Sequence, residues 1–468
     1  MGEPEFRFTT PWLHDAASPG GRPMALTDLG NAERLVVGHS ADLRFLHQTR
    51  QWHVWDGTRF AADDNGEAKR RAKQTARAML FEAALQDSEE LRKQIIAHQI
   101  RSESDRAVRA MLALAESDEK IAARAADFDR DNLLFNVKNG TLDLRTGALR
   151  EHERNDFITK LAPVEFDRSA TAPTWDRFLL EIMNDKDTVA FLRRAVGYSM
   201  TGETGEHCYF LLHGSGANGK STFVETIRAL FGDYGMQSDF QTFLANKGTG
   251  NGSRHDIARL RGARLVTAVE SDAGKRLAEN IVKYLTGGDT VTARFLYSEH
   301  FEFAPTFKLW MATNNKPRIF GTDEATWRRV RLIPFTVTIP EEKRDAKLLE
   351  KLKAELPGIL NWILAGLAEW RERGLDTPKA ITQASEDYRQ REDSLGRFID
   401  DNLLADPESR ISASELYGAY KNWSDRTGEF QLKEKDFSDD LQKRGFQKHR
   451  YGNGQFWKFV RLNGQASM

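Results

Sequence analysis

Residues 214–222 read GSGANGKST, a G-x-x-x-x-G-K-[ST] spacing that supplies the groups needed to hold a chain of phosphates. Gly214, Gly216 and Gly219 let the backbone curl so that its N–H groups face inward, with Ser215, Ala217 and Asn218 between them. A helix N-terminus beyond the loop adds partial positive charge. Lys220 would reach the β- and γ-phosphates, Ser221 would hold Mg2+, and Thr222 completes the set. The spacing implies a site for ATP with Mg2+; without the right framing it would be a glycine-rich turn.

Such a loop needs an acid to position Mg2+ and the attacking water. Leu265 to Val269 form a buried-strand pattern ending in Glu270-Ser271-Asp272. An acid at the C-terminal end of a parallel strand beside the loop's own strand suits that task, so Glu270 takes the water-activating, metal-side role and Asp272 is a second acid. Another apolar run, Lys308 to Ala312, ends in Thr313-Asn314-Asn315, where the Asn314 amide could orient water or polarise the γ-phosphate. Arg328 and Arg329 precede one more strand and suggest an arginine finger offered to a neighbouring subunit's ATP. Each has a plainer reading: a solvated acid, a capping amide, a surface charge pair.

The elements that must position these groups are legible in outline. Tyr209 to Leu212 read as the strand entering the loop and Phe223 to Phe231 as the helix leaving it. Between acid and amide, Gly287-Gly288 breaks a helix, and runs Val291 to Tyr297 and Phe301 to Phe303 flank Ser298-Glu299-His300 as an inserted hairpin. Upstream, 26–37 reads as helix, Trp52 to Trp55 as short strand, and 66–128 as two or three helices. Residues 132–152 read as strands joined by tight turns at Asn139-Gly140 and Thr146-Gly147, and 174–200 as helical. The expected organisation is a loose leader (1–25), an N-terminal α+β domain (26–165), a helical lead-in (166–200), an ATPase core (201–340), a helical bridge (341–395) and a C-terminal domain (396–468).

In that last domain, 411–428 and 432–446 read as two helices and 447–462 as a β-wing turning at Gly452-Asn453-Gly454, a winged-helix pattern. From Leu441 to Leu462 there are six basic residues and no acid: Lys443, Arg444, Lys448, Arg450, Lys458 and Arg461. Tyr451, Phe456 and Trp457 are interleaved, so the segment could release phosphate counterions and stack on bases. The plain alternative is a solvated face over an aromatic core.

Bulk composition bounds the rest. At 468 residues the chain has room for about three domains. With 40% hydrophobic and 29% charged residues it reads as a globular protein with ample core, and no long apolar run or signal peptide points away from a cytoplasmic location, the host cytoplasm for a phage or viral product. A net charge of −1 means that nucleic acid must be met by local basic surface. The single cysteine, Cys208, excludes a disulfide framework and a cysteine-rich zinc site and reads as inert core.

The order of glycine loop, strand-end Glu270, hairpin, Asn314 and arginine pair within 214–329 resembles superfamily-three helicases. The finer resemblance is to the phage and plasmid primase-helicase family that includes poxvirus and satellite-phage enzymes. LTDLGNAERLV with WHVWDGTRF, LLFNVKNGTLDLRTG, LTGGDTVTAR and KLWMATNNKP are similar to its blocks and extend over most of the chain. The resemblance implies an α/β, AAA+-like P-loop core with a mainly α N-terminal and collar region. It also implies a hexamer with ATP between subunits and the hairpin lining a central channel. It makes His300 the residue that tracks DNA, with Lys283 and Arg294 as further contacts, although here Glu299 stands beside His300 and the Lys-His pair of some relatives is missing. Larger members carry a primase domain; Asp127-Phe128-Asp129 and Ser298-x-His300 mimic its motifs at the wrong spacing, so no primase activity is expected in this chain. The expected partners are single-stranded and forked DNA, further copies of the chain, and a separate primase or other replication proteins. The expected function is an ATP-dependent DNA helicase or translocase in phage, plasmid or viral-type replication. Alternatives are an origin-binding initiator or scaffold whose ATP use controls assembly, and a nucleic-acid-stimulated ATPase in defence or packaging.

Overall fold

A computed structural model describes residues 24–245, 251–269, 275–294, 300–319, 324–429, 431–452 and 454–463. Its centre is a parallel sheet of five strands among the described residues, in the spatial order Val330–Pro334, Tyr209–His213, Lys308–Thr313, Leu265–Val269, Gly235–Asp239. The three inner strands, YFLLH, KLWMAT and LVTAV, are near-continuous apolar runs because both of their faces are covered. Phe210 and Trp310 pack with centroids 4.3 Å apart on one face, under Phe223 of helix Lys220–Phe231. Gly235–Asp239 is a polar edge strand that the apolar pattern did not reveal.

Helices Pro173–Met183 and Lys186–Met200 precede the sheet, the second capped by the Asp185 carboxylate on Asp187 N and Thr188 N. Helix Leu356–Arg373 folds back against Lys186–Met200 at very close range. A Cβ on Gly366 would lie 2.1 Å from Arg193 O, and one on Gly197 would lie 2.3 Å from Leu367 N. Helix Lys379–Glu392 packs beside the Val330–Pro334 strand, where Ser385 Oγ accepts from Leu332 N at 3.0 Å. The segment 341–395 therefore covers the sheet as well as leading away from it.

The N-terminal module joins helix Asp28–His39 to three helices, Glu67–Ala84, Glu89–Ser102 and Asp105–Ala115. Alanines 68, 72 and 76 on the buried face allow these helices to approach closely. At its heart the fully buried Arg34 meets Glu82 through two hydrogen bonds of 2.8 Å. Strands Leu43–Leu46, Gln51–Trp55 and Phe60–Ala62, with Ala122–Ala123, form its small sheet. A separate antiparallel sheet, Leu134–Val137, Gly140–Asp143 and Ala148–Arg150, leads into the helices before the core.

The C-terminal part contains helices Ser394–Asn402, Ala413–Thr427 and Glu434–Lys443 and the hairpin Gln447–Tyr451/Gly454–Leu462. Leu403–Ser412 adds a third antiparallel strand, with a register shift between Ala405 and Arg410. Asn453 lies outside the described residues. Cys208 is buried in the main core and its thiol is pushed up to about 12 by burial, as inert core requires.

Candidate phosphate-binding site

The Tyr209–His213 strand runs directly into the glycine loop at the carboxyl edge of the sheet, and helix Lys220–Phe231 leaves it. The loop's path passes through left-handed backbone: φ is +106° at Gly216, +49° at Ala217 and +82° at Gly219. Gly214 is constrained by space instead, since a Cβ there would sit 2.2 Å from Asn218 Nδ2 and 2.3 Å from the Phe335 carbonyl oxygen. Two hydrogen bonds pin the loop to the segment after the last sheet strand. Asn218 Nδ2 donates to Phe335 O at 3.3 Å, and Ile339 N donates to Ala217 O at 2.8 Å.

Lys220 is only 5% exposed. Its ammonium donates to Gly214 O at 2.6 Å, Asn218 Oδ1 at 3.1 Å and Asn314 Oδ1 at 3.2 Å. Among the described residues no carboxylate pairs with it, and burial lowers its pKa. A buried cation with neutral acceptors alone is short of an anion. His213, just before the loop, is held neutral with its pKa lowered to about 4, first by burial and then by Lys316, Lys220 and Arg391. This edge is therefore electropositive where the backbone is curled. Ser215, Ala217 and Ser221 are exposed to a ligand arriving there, and Thr222 is half-buried.

The 94-residue separation between Lys220 and Asn314 closes because their strands are neighbours, with Thr313 paired to His213. The strand leading to Glu270 ends at Val269, which pairs with Ala312 at the same edge; Glu270 and Asp272 lie outside the described residues. Among the described residues no three His, Cys, Asp or Glu side chains converge as a metal cage. No described helix is long and apolar enough to cross a membrane.

Arg328 and Arg329 sit at the opposite end of the sheet. The Arg329 carbonyl accepts from Tyr209 N at 2.9 Å, at the start of the strand whose far end carries the loop. Five strand residues put about 15 Å between the pair and Gly214, beyond contact with a ligand on the same chain's loop. The two arginines also differ. Arg328 is exposed with no side-chain partner among the described residues, whereas Arg329 turns inward, with Nη1 on the Ala325 carbonyl and a buried Nε that has no acceptor.

The inserted hairpin pairs Val291–Ala293 with Phe301–Phe303; the rest of the expected first strand, to Tyr297, and the tip residues Ser298 and Glu299 lie outside the described residues. His300 is exposed beside the Ala293–Phe301 pair, Arg294 is half-buried opposite it, and Lys283 is half-buried on helix Glu279–Thr286.

The C-terminal basic run is less free than its sequence suggested, because acids outside it reach in. Arg444 makes a two-point contact with Asp393 at 2.9 and 2.6 Å, which removes it from the free basic surface. Lys443 pairs with Asp440 at 2.8 Å and Arg461 with Asp406 at 3.1 Å. Trp457 is buried under Lys448, so it packs the core and cannot stack on a base. Lys448 also donates to Ser438 Oγ at 2.8 Å. Arg450 remains exposed and unpaired among the described residues, and Lys458 lies over the Tyr451 ring at 5.6 Å.

Sequence reasoning missed a cavity of about 490 Å³ beside the loop, lined by Arg177, Ala217, Gly219, Thr222, Lys343 and Arg344 among others. Its cations come from helix Pro173–Met183 and from residues 343–344, which carry no local pattern of a site.

Residues 32–184 match the family described as D5 N terminal like, and residues 212–329 match a family of unknown function, DUF5906. The protein named "Putative helicase L207/L206" of Acanthamoeba polyphaga mimivirus is 29% identical over 320 residues, covering 64% of this chain and 33% of that protein. "Putative helicase 022R" of Frog virus 3 is 24% identical over 379 residues, covering 63% of this chain and 39% of that protein. "Putative primase C962R" of African swine fever virus (isolate Tick/Malawi/Lil 20-1/1983) is 23% identical over 322 residues, covering 63% and 33%. The chain thus spans between about a third and two fifths of the length of these relatives. Among solved structures, the apo NrS-1 C terminal region aligns with a TM-score of 0.49 at 11% identity, covering 90% of this chain and 96% of that one. The family models span both the N-terminal module and the loop-bearing sheet, and together with the viral relatives they support a member of the phage and viral primase-helicase family.

Proposed function

We propose that this chain is an ATP-dependent, ring-forming DNA helicase or translocase of viral-type replication. In this reading the parallel sheet is an AAA+-like P-loop core and the C-terminal part a winged-helix-like DNA-binding domain. The observation that carries the proposal is the buried Lys220 ammonium, without a carboxylate partner among the described residues and held against Asn314 at the end of a left-handed glycine loop. A triphosphate would supply the missing anion: loop N–H groups and Lys220 take its β- and γ-oxygens, and the neighbouring cavity is of a size for the nucleoside. Mg2+ would be held by Ser221, exposed at the first helical turn, with Glu270 and Asp272 following the end of Leu265–Val269, a strand that Lys308–Thr313 separates from the loop strand and that is not beside it as expected. Bound Mg2+ supplies charge neutralisation on the phosphates. In this reading Asn314 would orient water and Glu270 would accept its proton.

Arg328 lies at the sheet end opposite its own loop, exposed and with no side-chain partner among the described residues, which suits completion of a neighbouring copy's site within a hexamer. The hairpin with His300, Arg294 and Lys283 would then line the channel and follow single-stranded DNA, while Arg450 and Lys458 of the C-terminal hairpin dock forked DNA. The test is strand displacement on a forked duplex with ATP. Wild type should unwind it and Lys220→Ala should not; hydrolysis without unwinding would assign the ATP use to assembly control instead.

A further inference from the structure

A second cavity, of about 650 Å³, lies between the N-terminal module and the parallel sheet, and no part of the mechanism above uses it. Four cations line it: Lys160, Arg259, Arg261 and Arg264. Arg264 is committed to the fold, with Nη1 on Met200 O at 2.8 Å and its guanidinium over Tyr234 at 4.8 Å. The side chains of Lys160, Arg259 and Arg261 make no hydrogen bond or ion pair among the described residues; that of Arg261 covers the Phe301 ring at 5.5 Å. The carboxylate whose charge reaches Lys160, Arg261 and Arg264 is Asp129. Its oxygens already accept from Thr159 N at 2.9 Å and Thr159 Oγ1 at 2.5 Å. The other lining acid, Glu302, is exposed on the hairpin strand. His53 on the same wall is 9% exposed, and its Nδ1 is buried with no hydrogen-bond partner.

Excess positive charge around one occupied carboxylate, with an unpartnered buried ring nitrogen beside it, is a site built for an anion with several acceptor oxygens. We propose that this cavity binds a phosphate group of a nucleic-acid strand, forming a second backbone contact at the root of the hairpin. Residues Glu302 to Ala304 form part of its wall, so a strand held here is next to the hairpin by construction. The cations step outward, from buried Arg264 through half-buried Lys160 and Arg261 to exposed Arg259. That gradient suits a backbone passing through better than a free nucleotide enclosed within. The proposal needs no ATP turnover and stands apart from the reading of the glycine loop.

The experiment is anisotropy titration of fluorescein-labelled oligothymidylate with the full chain, without nucleotide, across a salt series. Each single-strand phosphate contact contributes about 0.7 to the slope of log affinity against log salt. Lys160→Gln/Arg261→Gln should therefore lower that slope by about 1.4 and weaken binding about tenfold or more. Lys160→Arg should retain the wild-type slope, and Lys220→Ala should leave it unchanged, which separates this site from the glycine loop. Should the double variant fail to melt like wild type, exposed Arg259→Gln alone should still lower the slope by about 0.7. Wild-type slopes in Lys160→Gln/Arg261→Gln and in Arg259→Gln would overturn the proposal. Displacement of the oligonucleotide by a mononucleotide at matched phosphate concentration would assign the site to free nucleotide and overturn the strand contact.

Discussion

Three glycines of one loop are required for three different reasons, so alanine at each should fail by a different amount. At Gly216 the added Cβ meets no atom within 4 Å, and the cost is only that of a side chain at φ +106°, about 1–2 kcal/mol. At Gly219 the backbone cost at φ +82° is similar, but the Cβ would also lie 2.6 Å from Ile182 Cγ2 and 3.1 Å from Phe178 Cε2. Ile182 is fully buried and branched at Cβ, so it cannot swing away, and overpacking adds about 1–3 kcal/mol. Gly219→Ala should thus cost about 2–5 kcal/mol, or roughly 4–20 °C of melting temperature at about 2–4 °C per kcal/mol. Gly214→Ala has no left-handed backbone to oppose it, yet its Cβ meets the fixed Phe335 carbonyl at 2.3 Å, which should push the Phe335–Ile339 segment away from the loop. The assay is thermal melting of each variant alongside equilibrium binding of a fluorescent ATP analogue. Gly216→Ala should melt within a few degrees of wild type, so its affinity loss reports the loop itself, whereas Gly219→Ala should lose both. If Gly219→Ala melts like wild type, or Gly216→Ala melts below it, the packing of this loop against helix Pro173–Met183 is not as described.

Arg328→Ala should leave nucleotide affinity intact and abolish turnover, and mixing it with Lys220→Ala subunits should restore part of the turnover, because the two residues would serve different copies' sites; no recovery on mixing refutes a shared site. Glu82→Gln should destabilise the protein by about 3–5 kcal/mol, since it leaves Arg34 buried without its counter-charge; denaturant midpoints that match wild type would refute this. The folded-state pKa of His39 is lowered to about 4, by burial first and then by Arg71, and that of His213 also to about 4. In both cases the unfolded chain binds the proton more readily, so stability is fully present above about pH 6.5 and is lost as pH falls toward 4. Urea midpoints at about pH 7 and about pH 4.5 should differ in that direction, and His39→Gln should reduce the difference.

The parts of the fold visible in the sequence were those whose cause is local. Apolar runs such as LVTAV and KLWMA announce inner parallel strands, and Asn139-Gly140 announces a turn, because side-chain burial and backbone φ act residue by residue. GMQSD at 235–239 becomes a strand only because Leu265–Val269 offers it hydrogen bonds, and Leu403–Ser412 does so despite Asp406-Pro407-Glu408 by means of a register shift. Neither condition can be read within either segment. The same divide runs through the site. The loop was legible from its spacing, but the contact of Lys220 with Asn314, the capture of Arg444 by Asp393 and the position of Arg328 at the far sheet end all depend on strand order and helix return.

Charge, which carries no periodicity, was the least legible of all, and it is also where the structure is least self-sufficient. Other buried cations have their answer inside the chain: Arg34 has Glu82, and Arg194 has Glu369 and Asp376. Among the described residues Lys220 has only neutral acceptors, and Lys160 and Arg261 share Asp129 with Arg264. A fold shaped by stability alone would place a carboxylate beside each, since an uncompensated buried charge costs several kcal/mol. That the shortfall among the described residues occurs at the glycine loop and at a cavity flanking the same sheet, and in both cases is of the sign a phosphate would correct, argues that these positions are kept for a ligand to complete.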